Sequence, residues 1–108
     1  MKETIDLKQF QESASILKAV AHPVRMGVIT LLTRYEALTV TDMCGLLQLE
    51  QPLISHHLAK MRLAGVLENK RDGKNMRYKL IITELAEAIH CLDKRNSQNH
   101  IKKVRDLN

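Results

Sequence analysis

The 108-residue sequence predicts a mainly α fold with one small β-hairpin, an α+β domain, and three observations carry that expectation. Apolar residues recur at helical spacing in several separate stretches, most clearly Ile54, Leu58 and Met61 at i, i+4 and i+7. The period then switches to two over Met76, Tyr78 and Leu80, just past the turn-forming pair Asp72-Gly73. Aromatic residues make up only 3 % of the chain against 44 % hydrophobic, so the core is aliphatic and largely helical. A single modest core fits this length. The domain is expected to occupy residues 1–95, with 96–108 a C-terminal tail or helix extension.

Residues 6–21 read as the first helix. Asp6 with Gln9 three positions on resembles a capping box, and Phe10, Ala14, Leu17 and Ala21 follow at helical spacing. His22-Pro23 interrupts the pattern, and Pro23 suits the first position of a second helix running to about Tyr35. Val24, Val28, Leu31 and Leu32 form its apolar stripe, and Gly27 permits a close helix crossing. His22 reads as a helix-start residue rather than a metal ligand. Thr39 with Asp42 gives another capping box, ahead of a short helix to Leu47 with Val40, Met43 and Leu47 inward. Gln48, Leu49 and Glu50 turn tightly into a further helix from Gln51 to Gly65. A short helix, a tight turn and a second helix form the helix-turn-helix pattern.

The outer side of that second helix is chemically distinctive. Opposite Ile54, Leu58 and Met61 stand Pro52, Ser55, His56 and Ala59, flanked by Gln51 and Lys60. An ordinary solvated face carries more Glu and Lys. Short and hydrogen-bonding side chains can lie in a DNA major groove and reach base edges and phosphates. Leu63 also points outward and has no role in this scheme. Gly65 ends the helix. Val66 to Arg71 and Met76 to Leu80 then pair as a two-stranded ribbon, with Lys70, Arg71, Lys74 and Arg77 near its tip: a wing. Thr83 caps a last helix bearing Leu85, Ala88, Ile89 and Leu92, whose pattern degrades through Asn96-Ser97-Gln98-Asn99.

Charge supports the same reading. The formal net charge is +5, and residues 51–80 hold seven basic side chains opposed only by Glu68 and Asp72. The remaining basic and acidic residues cancel, so the whole excess lies on the candidate helix and the segment after it. That is the footprint of a phosphate-binding surface. Several function classes fall away. Few aromatics argue against a base-stacking platform for single strands. There is no Gly-rich phosphate loop, paired-carboxylate motif or strand-anchored nucleophile, so no enzyme is expected and no cofactor. No apolar run approaches a membrane span and no charged-then-apolar leader opens the chain. The two cysteines, Cys44 and Cys91, have neither framework spacing nor a CxxC pair, which fits reduced thiols in the cytoplasm.

With those residues in place, the chain from Leu17 to Leu92 resembles the ArsR/SmtB-type winged-helix repressors. The likeness rests on AHPVRMGVITLL (Ala21 to Leu32), LTVTDMCGLL (Leu38 to Leu47), QPLISHHLAKMRLAGVL (Gln51 to Leu67) and RDGKNMRYKL (Arg71 to Leu80). The resemblance implies a homodimer joined by its first and last helices and bound to an inverted-repeat operator in double-stranded DNA. It places Gln51, Ser55 and His56 at groove-facing positions, His57 toward the core in a structural role, and the wing residues on backbone phosphates. Phe10, Leu17, Leu85, Ile89 and Leu92 supply more apolar surface than one small domain readily covers, and are the expected dimer contacts. A protein-docking module on the same fold would instead show hydrophobes or acids on this helix and wing, and only Leu63 fits that.

The metal-sensing positions of the family are not filled by ligands here. Thr39 and Thr41 stand where one group has a Cys-x-Cys pair, leaving Cys44 alone. Ile82, Glu84, Arg95 and Gln98 stand where another group has its Asp, His, His and Glu. No metal site is expected. Where a third group carries a redox-active cysteine pair, Thr30 takes the first position and Cys91 lies about two turns before the second. Cys44 and Cys91 remain the candidates for a thiol response, with a buried unreactive thiol as the plain alternative. No inducer is singled out.

Overall fold

The chain enters its first helix through a tighter turn than the periodicity implies. The structure, a computed structural model, describes the backbone of residues 3–107 and the side chains of residues 3–95. Asp6 accepts from the Lys8 backbone N–H at 3.0 Å, and its carbonyl accepts from Gln9 N–H at 3.1 Å. This closes a 3-10 turn over Leu7–Phe10 rather than the expected Asp6–Gln9 capping box, and α1 proper spans Gln11–Val20. Only Val20 of α1 is buried.

α2 spans Pro23–Arg34, and His22 caps it by accepting from Val24 N–H on Nδ1 at 3.1 Å. That is the helix-start role expected for it. Val28, Leu31 and Leu32 are buried with Ile29, which the expected stripe omitted. A Cβ at Gly27 would stand 3.4 Å from Leu47 Cδ2, so the close crossing is with the helix that ends at Leu47. α3 runs Val40–Leu47 behind a complete capping box: Asp42 N–H donates to Thr39 Oγ1 at 3.1 Å, and Thr39 N–H donates to Asp42 Oδ2 at 3.0 Å. α4 spans Gln51–Leu63, β2 Leu67–Asp72, β3 Asn75–Leu80 and α5 Glu84–Leu107.

The expected two-stranded ribbon is a three-stranded antiparallel sheet. β1, Leu38–Thr39, pairs with β3 and gives the order β1-β3-β2. Two residues carry no alternation to read, so β1 exists only through its partner. The hairpin turn also shifts by one. Asp72 pairs with Asn75, leaving Gly73 and Lys74 as the loop, and positive φ (63°) at Gly73 alone matches a type II′ turn.

The fully buried centre is Val28, Ile29, Met43, Ile54, Leu58, Met61 and Val66, drawn from α2, α3, α4 and the start of the hairpin. α5 closes this core against α2, and Leu85 and Ile89 are each 7 % exposed. These two residues therefore belong to the protomer's own core and not to an open dimer surface, since α2 presents an apolar stripe to them first. Phe10, Leu17 and Leu92 are exposed. The expected tail of residues 96–108, with His100, Lys102, Lys103 and Arg105, lies outside the described side chains.

Candidate nucleic-acid interface

α4 is held at both ends and along one side. At its start, Gln48 takes a left-handed conformation (φ 55°, ψ 48°), and the Cys44 carbonyl accepts from the N–H groups of Gln48 and Leu49. This reverses the chain between α3 and α4 within three residues. At its end, Gly65 N–H donates to Arg62 O and Val66 N–H donates to Met61 O, both at 3.0 Å, with Gly65 at φ 79°. Those two bonds form a Schellman motif, for which glycine is the favoured residue. Ile54, Leu58 and Met61 fix the inner side.

Gln51, His56, Lys60, Arg62 and Leu63 are exposed on the remaining sides, and Ser55 is half-buried. The expected reading residues Gln51, Ser55 and His56 thus share the outward part of one anchored helix. Arg62 lies at i+7 from Ser55, hence on the same flank. It belongs to the basic excess of residues 51–80 without standing among the expected DNA contacts.

The register of the hairpin divides its basic residues. Lys70 faces Arg77 and Glu68 faces Lys79 on one side of the sheet, while Arg71 faces Met76 and Asn69 faces Tyr78 on the other. Lys74 stands in the loop between the strands. Arg77 is already engaged: its Nε donates to Asp72 Oδ2 at 2.7 Å. Asp42 is held below the ordinary carboxylate pKa of 3.8 by the Thr39 backbone N–H and hydroxyl, with Arg77 acting in the same direction. The four wing cations are therefore not equivalent. Lys70, Arg71 and Lys74 are exposed and have no hydrogen-bond or ion-pair partner among the described residues, whereas Arg77 is tied to a neighbouring carboxylate.

His57 faces inward, as expected. It is 4 % exposed, and Arg25 Nε donates to its Nδ1 at 3.0 Å while Arg25 Nη1 donates to the Ala19 carbonyl at 2.8 Å. Burial pushes the His57 pKa below its ordinary 6.5, and His22, Arg25 and His56 add to that direction. Thr30 donates its hydroxyl to the Met26 carbonyl at 2.9 Å. Cys44 is half-buried and Cys91 exposed, both as free thiols. Among the described residues, no group of three or more His, Cys, Asp or Glu is placed to share a metal ion.

The profile of the bacterial regulatory proteins of the arsR family matches residues 22–69, which run from the cap of α2 into β2. The transcriptional repressor PagR of Bacillus anthracis is 36 % identical over 76 residues, covering 70 % of this chain and 76 % of PagR. This chain belongs to the arsR family. The arsenical resistance operon repressor of Escherichia coli K12 is 38 % identical over 65 residues, covering 60 % of this chain and 56 % of that one. Among solved structures, PagR superposes with a TM-score of 0.71 at 32 % identity, covering 81 % of this chain and 99 % of that one. The transcriptional repressor BigR from Xylella fastidiosa gives 0.71 at 28 % identity over 79 % and 86 %. The arsR-family chain described here is a transcriptional regulator with a winged helix-turn-helix fold, its wing formed by β2 and β3.

Proposed function

We propose that this regulator is a cytoplasmic, homodimeric repressor that binds an inverted-repeat operator and acts by binding alone. The observation that carries the reading is the outward row of α4, anchored at both ends and set beside a cationic hairpin. In it, Gln51, Ser55 and His56 read base edges, while Lys60, Lys70, Arg71, Lys74 and Arg77 hold phosphates. The names of PagR and BigR as transcriptional repressors support the direction of the effect. Phe10 and Leu17 from the first helical segment, with Leu92 on α5, offer exposed apolar surface for the partner copy.

The test is titration of a labelled duplex from upstream of the protein's own coding sequence, with a scrambled duplex as control. Tight, sequence-dependent binding at a stoichiometry of one dimer per site is expected. Equal weak binding to both duplexes would refute operator recognition, and a monomer saturating a half-site would refute the dimer.

A further inference from the structure

Arg25 is a basic residue on a DNA-binding domain that does not face outward. It is half-buried where α1, α2 and α4 meet, and it spans all three: its own helix is α2, Nη1 donates to Ala19 O of α1, and Nε donates to His57 Nδ1 of α4. Guanidinium has no acceptor, so the imidazole must be the acceptor in this bond. Nδ1 therefore carries no proton, and His57 is the neutral tautomer protonated at Nε2. The bond cannot survive proton uptake at Nδ1, which would set two donors and two positive charges face to face at 3.0 Å.

We propose that Arg25 is a positioning residue for the DNA-reading face, acting through His57, and that protonation of His57 releases α4 and weakens operator binding in mild acid. This rests on the operator-binding reading above. His57 sits between Ser55–His56 and Leu58, so its tie to Arg25 fixes the stretch of α4 that carries the reading residues against α1 and α2. The His22 ring lies 4.4 Å from that of His57 and the His56 ring 5.4 Å. The ionisable groups acting on His57 are His22 at the cap of α2, Arg25 within α2 and His56 on α4. α1, α3 and β2, which also pack on or near α4, add none to that set, and no carboxylate is in it. A proton arriving at His57 Nδ1 thus meets the Arg25 guanidinium, and no carboxylate among the described residues acts on it.

The direction follows from the lowered pKa. The hold is complete above about pH 6.5, where His57 is neutral in any state, and weakens as pH falls below that value. His56 is a second imidazole, exposed on the reading face itself, so the test removes it.

In a His56→Gln background, affinity for the upstream duplex is measured by fluorescence anisotropy at constant ionic strength from about pH 7.5 to about pH 5.5. A loss of about tenfold or more is expected, with helix content unchanged by circular dichroism. Adding His57→Asn, whose Oδ1 accepts from Arg25 but does not titrate, should flatten the profile. Adding Arg25→Leu should flatten it too and lower affinity throughout. Long-range nitrogen–proton NMR of the unbound protein should show His57 as the Nε2–H tautomer at neutral pH.

A flat profile in the His56→Gln background, or an undiminished acid loss in His57→Asn, would overturn the proposal. So would loss of helix signal in step with affinity, which is plain acid unfolding, or a His57 protonated at Nδ1 at neutral pH. Absence of any sequence-dependent binding by the unsubstituted protein at about pH 7.5 would instead defeat the operator reading, and the NMR measurement would still decide the state of His57.

Discussion

Arg77 shows how a side chain's neighbours change the role its charge suggests. It faces Lys70 across the hairpin and Thr39 across the β1–β3 pairing, and its Nε is bound to Asp72. Ion pairs this exposed contribute at most about 1 kcal/mol, so the carboxylate competes with a phosphate without excluding it. Asp72→Asn should therefore raise affinity for DNA of any sequence by about two- to fivefold, read as a parallel shift on operator and scrambled duplexes. A gain confined to the operator would mean that Asp72 acts by shaping the wing. Lys74→Ala should weaken both duplexes alike, and by more than Arg77→Ala, since Lys74 has no competing partner among the described residues. By contrast, Gln51→Ala or His56→Ala should cost about 1–3 kcal/mol on the operator and little on the scrambled duplex. Residue identities and helical phase made the outward row legible in the sequence. Partnerships were not legible: Arg25 and His57 are 32 positions apart, and only the packing of α2 on α4 joins them.

At the scale of elements, two junctions set the helix-turn-helix. The first is the Thr39–Asp42 box, which was readable because both partners lie within one turn. Thr39→Ala should cost about 1 kcal/mol of stability in urea unfolding. The folded-state pKa of Asp42 lies below its ordinary 3.8, so its contribution is complete above that value and disappears as pH falls through the lowered one. Acid unfolding of Asp42→Asn should accordingly show less pH dependence below about pH 4. The second junction is Gln48 at φ 55°, a conformation that costs a side-chain-bearing residue about 1 kcal/mol. Gln48→Gly should leave stability unchanged or raise it by up to about 1 kcal/mol, whereas Gln48→Val should lower it. The sequence located this turn but held no sign of its handedness. β1 was not visible for a plainer reason: Leu38 and Thr39 reach a strand's conformation only beside Tyr78 and Arg77.

For the whole molecule, about four to eight phosphate contacts per dimer would give a log-log salt slope on the order of −4 to −7. A slope near zero would remove the basic segment from the interface. A two-fold dimer would set two α4 helices roughly 34 Å apart, one turn of DNA. Leu17→Asp should then produce monomers by light scattering, while Leu85→Asp should unfold the protomer, because Leu85 is buried within it. Zinc, cadmium and arsenite are expected to leave operator affinity unchanged, and a stoichiometric loss with any of them would contradict this. A loss with oxidant that Cys91→Ser abolishes would assign the response to that thiol. Thr39 has a further consequence at this scale. It is at once the last residue of β1, paired in register with Arg77 of the wing strand β3, and the cap on which α3 begins. Wing and helix-turn-helix are thereby geared together through one residue, with no slack segment between them. Force applied at the hairpin tip reaches the root of α3 directly, so amide hydrogens of β3 and the first turn of α3 should slow together when DNA grips the wing.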